Sequence, residues 1–156
     1  MKNLIILFIV ASVVFLFSCG SSEKDVPSNV KIEFAKLYPD VNDVDWEKEG
    51  ENFEAKFEIA DIENSVIFDA TGNFLETETE INENELPAAV KAYLQNNYNG
   101  VTPEEAFIIR RVDAIFYEIE IEVNKKETEL LFDESGNLQE NTEVEIEDEN
   151  EKDEDN

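Results

Sequence analysis

The chain has 156 residues, 39 of them acidic against 12 basic, with no histidine and a formal charge of -27. That length fits one compact domain or two small subdomains, and a charge this negative excludes nucleic acid as a partner, because phosphates would be repelled. The lack of histidine removes the commonest general base and transition-metal ligand, and a single cysteine excludes both an internal disulfide framework and a Cys-rich zinc site.

The N-terminus reads as a targeting segment. Lys2 supplies a short positive region, and Leu4 to Phe17 form a 14-residue apolar run broken only by Ser12. A membrane-spanning helix needs roughly 20 apolar residues, whereas a run of about 10–14 suits the core of a signal peptide. The following Leu16-Phe17-Ser18-Cys19-Gly20 resembles the lipobox of bacterial lipoprotein signals. That resemblance implies cleavage after residue 18, acylation of Cys19 as the new N-terminus, and attachment to a membrane through its acyl chains. Each buried CH₂ contributes about 0.8 kcal/mol, so several chains hold stably. Gly20 resembles the residue of lipoproteins sent on to the outer membrane, which implies a bacterial cell-envelope location facing the periplasm or the cell surface. Residues 1–18 are thus expected to be a signal peptide and 19–25 a linker.

The remainder is an internal repeat. Val66-Ile67-Phe68-Asp69-Ala70-Thr71-Gly72-Asn73-Phe74 recurs 64 positions later as Leu130-Leu131-Phe132-Asp133-Glu134-Ser135-Gly136-Asn137-Leu138, and Phe53 to Ile59 recur as Tyr117 to Val123. Upstream, Val26-Pro27, Val30, Phe34 and Tyr38 recur at an offset of 60 as Leu86-Pro87, Val90, Leu94 and Tyr98. The change of offset predicts four extra residues in the second copy, around Asn99 to Pro103.

In chain order, each copy opens with a helix. Pro27 and Pro87 suit a first helical turn. Val30, Phe34, Leu37 and Tyr38 share one face, as do Val90, Leu94 and Tyr98, with Pro39 and Asn99-Gly100 as stops. A first strand is expected near 41–48 and near 106–112. The period then becomes two: Phe53, Ala55, Phe57 and Ile59 alternate with Glu54, Lys56 and Glu58, and Tyr117, Ile119, Ile121 and Val123 alternate with Glu118, Glu120 and Glu122. These read as strands with one dry face and one wet, acidic face. Two further strands per copy, near 63–69 and 74–81 and near 127–133 and 138–146, flank turns at Asp69-Gly72-Asn73 and Asp133-Gly136-Asn137, where glycine supplies the positive φ. The fold class is α+β: a tandem duplication of a helix-plus-four-strand unit over 26–82 and 83–146, with the helices on one face of antiparallel sheet. Residues 147–156 carry seven acidic residues, one lysine and no apolar residue, and so are expected to stay disordered.

This duplicated unit behind a lipobox resembles the PepSY-like group, described as β-lactamase-inhibitor-like proteins of bacterial envelopes. The residues that carry the resemblance are Val26-Pro27 and Leu86-Pro87, Tyr38 and Tyr98, the Phe-Asp-x-x-Gly-Asn turns beginning at Phe68 and Phe132, and Trp46 after Val44-Asp45. It covers about residues 26–146 and marks a fold rather than a chemistry. It implies helices packed against an antiparallel sheet whose open face binds protein partners.

Among the residues that bear chemistry, the Asp69 and Asp133 segments have a superficial likeness to calcium loops. An EF-hand needs oxygens at five or six of 12 positions, and Ala70 and Phe74 interrupt the pattern, so they read as structural turns with no metal or other cofactor. Glu54, Glu58, Glu118, Glu120 and Glu122 form either a surface for a basic partner or loosely held cations, or a solvated face that discourages edge pairing. Arg110 and Arg111, the only arginines, should project from opposite faces, one as a structural salt bridge and the other as an anchor for a partner carboxylate. Trp46 and Phe116 are either exposed binding aromatics or core packing. No catalytic residue is expected, and carboxylate-based hydrolysis would need a cleft and a raised carboxyl. The reading is therefore a non-catalytic, lipid-anchored envelope module that binds or inhibits an envelope or secreted protein through its sheet face. The alternatives are a structural or cation-attracting envelope protein and, last, a hydrolase.

Overall fold

A computed structural model describes residues 23–145; the signal segment, Cys19 and the acidic tail after 146 lie outside the described residues. A single 3₁₀ turn, Glu23–Asp25, leads into helix α1, Ser28–Leu37. Four strands follow: β1 Asp45–Glu49, β2 Asn52–Ile59, β3 Ile62–Phe68 and β4 Phe74–Glu80. The pattern then repeats with a 3₁₀ turn Glu83–Glu85, helix α2 Ala88–Asn97, and strands β5 Glu105–Arg111, β6 Ile115–Val123, β7 Lys126–Asp133 and β8 Leu138–Glu145. All eight strands form one antiparallel sheet in chain order, β1 to β8. The two units are thus joined edge to edge by β4 and β5, where Glu76 pairs with Arg111 and Glu80 with Phe107.

The prolines act one residue earlier than a first-turn position: Pro27 and Pro87 are the N-caps, and their carbonyls accept the N–H of Lys31 (3.2 Å) and Lys91 (3.1 Å). Tyr38 and Tyr98 close the helices by donating their N–H to Phe34 (2.9 Å) and Leu94 (2.7 Å). Both helices lie on the same face of the sheet, each over its own core. Val30 and Phe34 of α1 pack on Trp46, Phe57 and Phe68 of the sheet, and Val90 and Leu94 of α2 on Ile119, Leu130 and Phe132. Phe34 meets Trp46 edge-on at 5.4 Å, and Tyr93 meets Phe132 at 5.1 Å, arrangements that aromatic quadrupoles favour.

The duplicated cores are repacked by exchange of volume. In the first unit Trp46 pairs across the ladder with Ala55; at the equivalent positions of the second, Ala106 pairs with Ile119. A large residue opposite a small one fills the layer in each case, as close packing requires.

The turns at Asp69 and Asp133 are nearly superposable in their bonding. The Asp69 carboxylate accepts the N–H and hydroxyl of Thr71 and the N–H and side-chain amide of Asn73. Asp133 accepts from the N–H groups of Ser135 and Asn137 and from the Asn137 side chain. These bonds hold both carboxyls below their ordinary value. Gly136, at φ +81°, lies so close to α2 that a Cβ there would stand 2.5 Å from the Ala89 Cβ. Glycine is needed here both for its φ and for the close approach of turn to helix.

Three expectations need correction. Leu37 is 52% exposed rather than on the buried helix face, because α1 ends there and the chain turns away. Ile59 is 45% exposed, since β2 runs past the end of the helical cover into its hairpin. The strand expected to reach 112 stops at Arg111, whose N–H bonds the Ala114 carbonyl at 2.9 Å and closes a tight turn that leaves Val112 outside.

Candidate functional site

The sheet face away from the helices is not an open wet surface. It carries a groove of about 1100 Å³ that spans β1 to β6 and is lined on one side by the loop from Tyr38 to Asp43. Strand pleating places Glu47 and Glu49 of β1, Glu54 and Lys56 of β2, Glu76 and Glu78 of β4, Phe107 and Arg111 of β5, and Glu118 and Glu120 of β6 on this face. The expectation that Glu54 and Glu118 stand in water is therefore overturned: they are 3% and 5% exposed. Neighbouring side chains along the groove shut out solvent.

Two cations enter the groove, and both are engaged. Lys56 Nζ lies 2.8 Å from Glu47 and 3.6 Å from Glu54. Burial opposes its charge, but the bond to Glu47 and the charges of Glu54 and Glu49 prevail and hold its ammonium above the ordinary value. Arg111 donates to Glu76, and its guanidinium lies 4.7 Å over the Phe116 ring, a cation–π contact.

The second-unit side differs. No hydrogen bond or ion pair reaches Glu118 among the described residues, and the strongest charges acting on it are the carboxyls of Glu78, Glu129, Glu120 and Glu76. Burial first, and then these like charges, push it up to about 9. The same causes raise Glu78 to about 8, with Glu54 and Glu76 the strongest repelling groups and Arg111 opposing. Glu120 rises to about 8 through burial and then Glu105, Glu127 and Glu129. Glu49 rises to about 7 through burial and then Glu54. At neutral pH much of the groove floor is thus protonated, because removing charge from water is unfavourable unless a partner compensates.

Of the residues singled out in the sequence, the structure gathers Glu54, Glu58, Arg111, Glu118 and Glu120 along the groove, with Phe116 half-buried beneath Arg111. Glu122 is exposed beyond its end, and Arg110 is exposed on the opposite face. Trp46 is corrected outright as a binding aromatic: it is 6% exposed and packed under α1. Glu49, Glu76, Glu78, Glu129 and the cationic role of Lys56 were not singled out. The period-two run Glu76-Thr77-Glu78-Thr79-Glu80 carried the signal for β4.

Glu120, Glu127 and Glu129 bring one carboxylate oxygen each within 4.8 Å of one another. These are three hard oxygen ligands, part of the six to eight that calcium takes.

Residues 21–75 and 51–140 match, in two overlapping stretches, the family described as "Putative beta-lactamase-inhibitor-like, PepSY-like". The chain belongs to the PepSY-like family. A BLIP-like protein from Bacteroides fragilis is 30% identical, with a TM-score of 0.63 over 79% of this chain and 89% of that one. The same fold is seen in a protein from Bacteroides eggerthii described as "putative periplasmic", 17% identical with a TM-score of 0.70 over 76% of this chain and 88% of that one. It is seen again in a DUF2874 family protein from Bacteroides uniformis, 19% identical with a TM-score of 0.68 over 75% and 88%. No curated protein matches the chain. The duplication, the α+β class and the PepSY-like resemblance read from the sequence agree with these relatives.

Proposed function

We propose that this PepSY-like protein is a non-catalytic binding module of the bacterial envelope, held by lipid on Cys19, whose groove receives a basic segment of a protein partner. The carrying observation is the groove itself: a carboxyl-lined channel across six strands, with its two cations engaged and Glu118 buried without a partner. Its size and the apolar groups along it, Leu37, Ile59, Ile67 and Phe107, favour a polypeptide over a compact small molecule, for which sites of about 300–1,000 Å³ are usual. The periplasmic description of the Bacteroides eggerthii neighbour and the BLIP-like description of the Bacteroides fragilis relative support this location and role.

A photo-crosslinker placed at Phe107 in living cells is expected to trap one protein in a discrete adduct, and Glu78→Lys should abolish it. Adducts that form equally from Ile32, exposed on α1, and survive Glu78→Lys would sink the reading. Membrane attachment has its own test: Cys19→Ser should move the protein from the membrane to the soluble fraction and leave an unprocessed N-terminus, and unchanged fractionation would contradict the lipid anchor.

Carboxylate hydrolysis gains the cleft it requires, but not its division of labour. A glycosidase sets one raised acid across from a carboxylate free to act on the sugar; here Glu49, Glu78, Glu118 and Glu120 are all raised, and the paired carboxylates Glu47 and Glu76 are tied to Lys56 and Arg111. The groove is built to accept positive charge.

A further inference from the structure

We propose that Glu118, with Glu78 beside it, is the seat for a single basic side chain of the bound segment, and that the side chain enters by displacing a proton from the Glu118 carboxyl into solvent. This rests on the reading of the groove as a site for a basic segment, and it assigns the position and stoichiometry within it.

The geometry distinguishes this end from the rest of the groove. At the β1–β2 end, Lys56 already bridges Glu47 and Glu54, and at the β4–β5 junction Arg111 holds Glu76. Glu118, on β6, is the groove carboxyl that combines 5% exposure with no hydrogen-bond or ion-pair partner among the described residues. Glu76 and Glu78 face it from β4, Glu105 and Arg111 stand on β5, Glu120 follows on its own strand, Glu129 faces it from β7, and Glu140 of β8 completes its surroundings. Arg111 is the one cation in that set, and it is committed to Glu76 and to the Phe116 ring.

A buried carboxyl among carboxyls has two favourable states: it keeps its proton, or it ionises against an incoming ammonium or guanidinium. The balance is Glu118–COOH plus R–NH₃⁺ giving the Glu118–COO⁻···⁺H₃N–R pair plus H⁺ to buffer. Because Glu118 is pushed up to about 9, it carries its proton at pH 7.5 in the free protein, so occupation should release about one proton per chain. Partial ionisation of Glu78 and Glu120 on binding would add to that number, which is why the Glu118 variant and not the wild-type count alone decides the assignment.

The test is calorimetric titration of the full chain in detergent with blocked pentalysine at pH 7.5, in two buffers that differ in ionisation enthalpy. The expected result is saturable binding with about one proton released in the wild type. In Glu118→Gln, which copies the shape of the neutral acid, affinity should fall about tenfold and the proton release should largely vanish. Glu33→Gln, the same substitution at a surface carboxyl of α1 beside Lys36, should change neither. Equal affinity and equal proton release in Glu118→Gln and wild type would overturn the seat, as would binding without proton release or no saturable binding of pentalysine. Spermidine binding as tightly as pentalysine would overturn the assignment to a peptide side chain. The groove reading fails separately, on the crosslink from Phe107, so a trapped partner together with an unaffected Glu118→Gln variant would retain the groove and discard the seat.

Discussion

Trp46→Ala should destabilise the protein by about 3–5 kcal/mol, the range for truncating a large buried aromatic, and should lower the urea midpoint without changing the slope of unfolding. Trp46 is 6% exposed and lies in the core beneath α1, edge-on to Phe34 at 5.4 Å. Its ladder partner is Ala55, which is too small to fill the space left behind, so the cavity would persist. Ala55→Ile in the same chain restores the small–large arrangement that Ala106 and Ile119 use in the second unit and should recover part of the loss. A loss below about 1 kcal/mol, the level of an ordinary surface change, would mean that Trp46 is not core. Binding experiments must therefore alter the groove and leave this residue intact.

Thermal stability should fall by at least about 10 °C between pH 5 and pH 9 in a domain of this size. The direction follows from the protons held. Glu49, Glu78, Glu118 and Glu120 have folded values raised to about 7, 8, 9 and 8, against an ordinary glutamate value near 4.5. The folded state binds more protons than the unfolded chain across that window. Its stabilising contribution is complete below about 4.5 and is lost as the pH rises through the folded values. Because these carboxyls repel one another, ionising one makes the next harder, and the loss is spread over the window rather than stepped. Asp69 and Asp133 act in the opposite sense: their lowered values come from hydrogen bonds within the turns, so their contribution is present above the ordinary aspartate range and lost in stronger acid. Melting curves from pH 3 to 9 should therefore peak at mildly acidic pH. Glu118→Gln should raise the melting temperature at pH 9, leave it unchanged at pH 5, and flatten the slope between them. A flat profile, or one rising toward pH 9, would contradict the buried groove.

How legible each feature was depends on the range of the interaction behind it. The helices and strands were readable because Val30 and Phe34, or Phe53, Ala55 and Phe57, report a local period that burial on one face enforces. The turns were readable because Asp69-x-x-Gly72-Asn73 and Asp133-x-x-Gly136-Asn137 carry their bonding within five residues. Trp46 was ambiguous because an aromatic in a short strand reads alike whether a helix covers it or not. Period alone places Glu118 opposite Ile119, and it says nothing about what stands across the sheet. That Glu78 of β4 and Glu118 of β6 flank one strand depends on the pairing of β4 with β5, which joins the two repeats.

The duplicated helix-and-strand unit, the side of each strand on which the carboxylates stand, and the concentration of the -27 charge on the repeats were all written in the order of the residues. Each of these follows from neighbours along the chain. What stands across the sheet decided that the acidic side is a groove, that Glu54 and Glu118 are buried in it, and that burial pushes both carboxyls up, Glu118 to about 9. Those properties arise from the pairing of an eight-stranded sheet and the loop beside it, which bring together carboxyls from strands remote in sequence and exclude water that favours their ionised form.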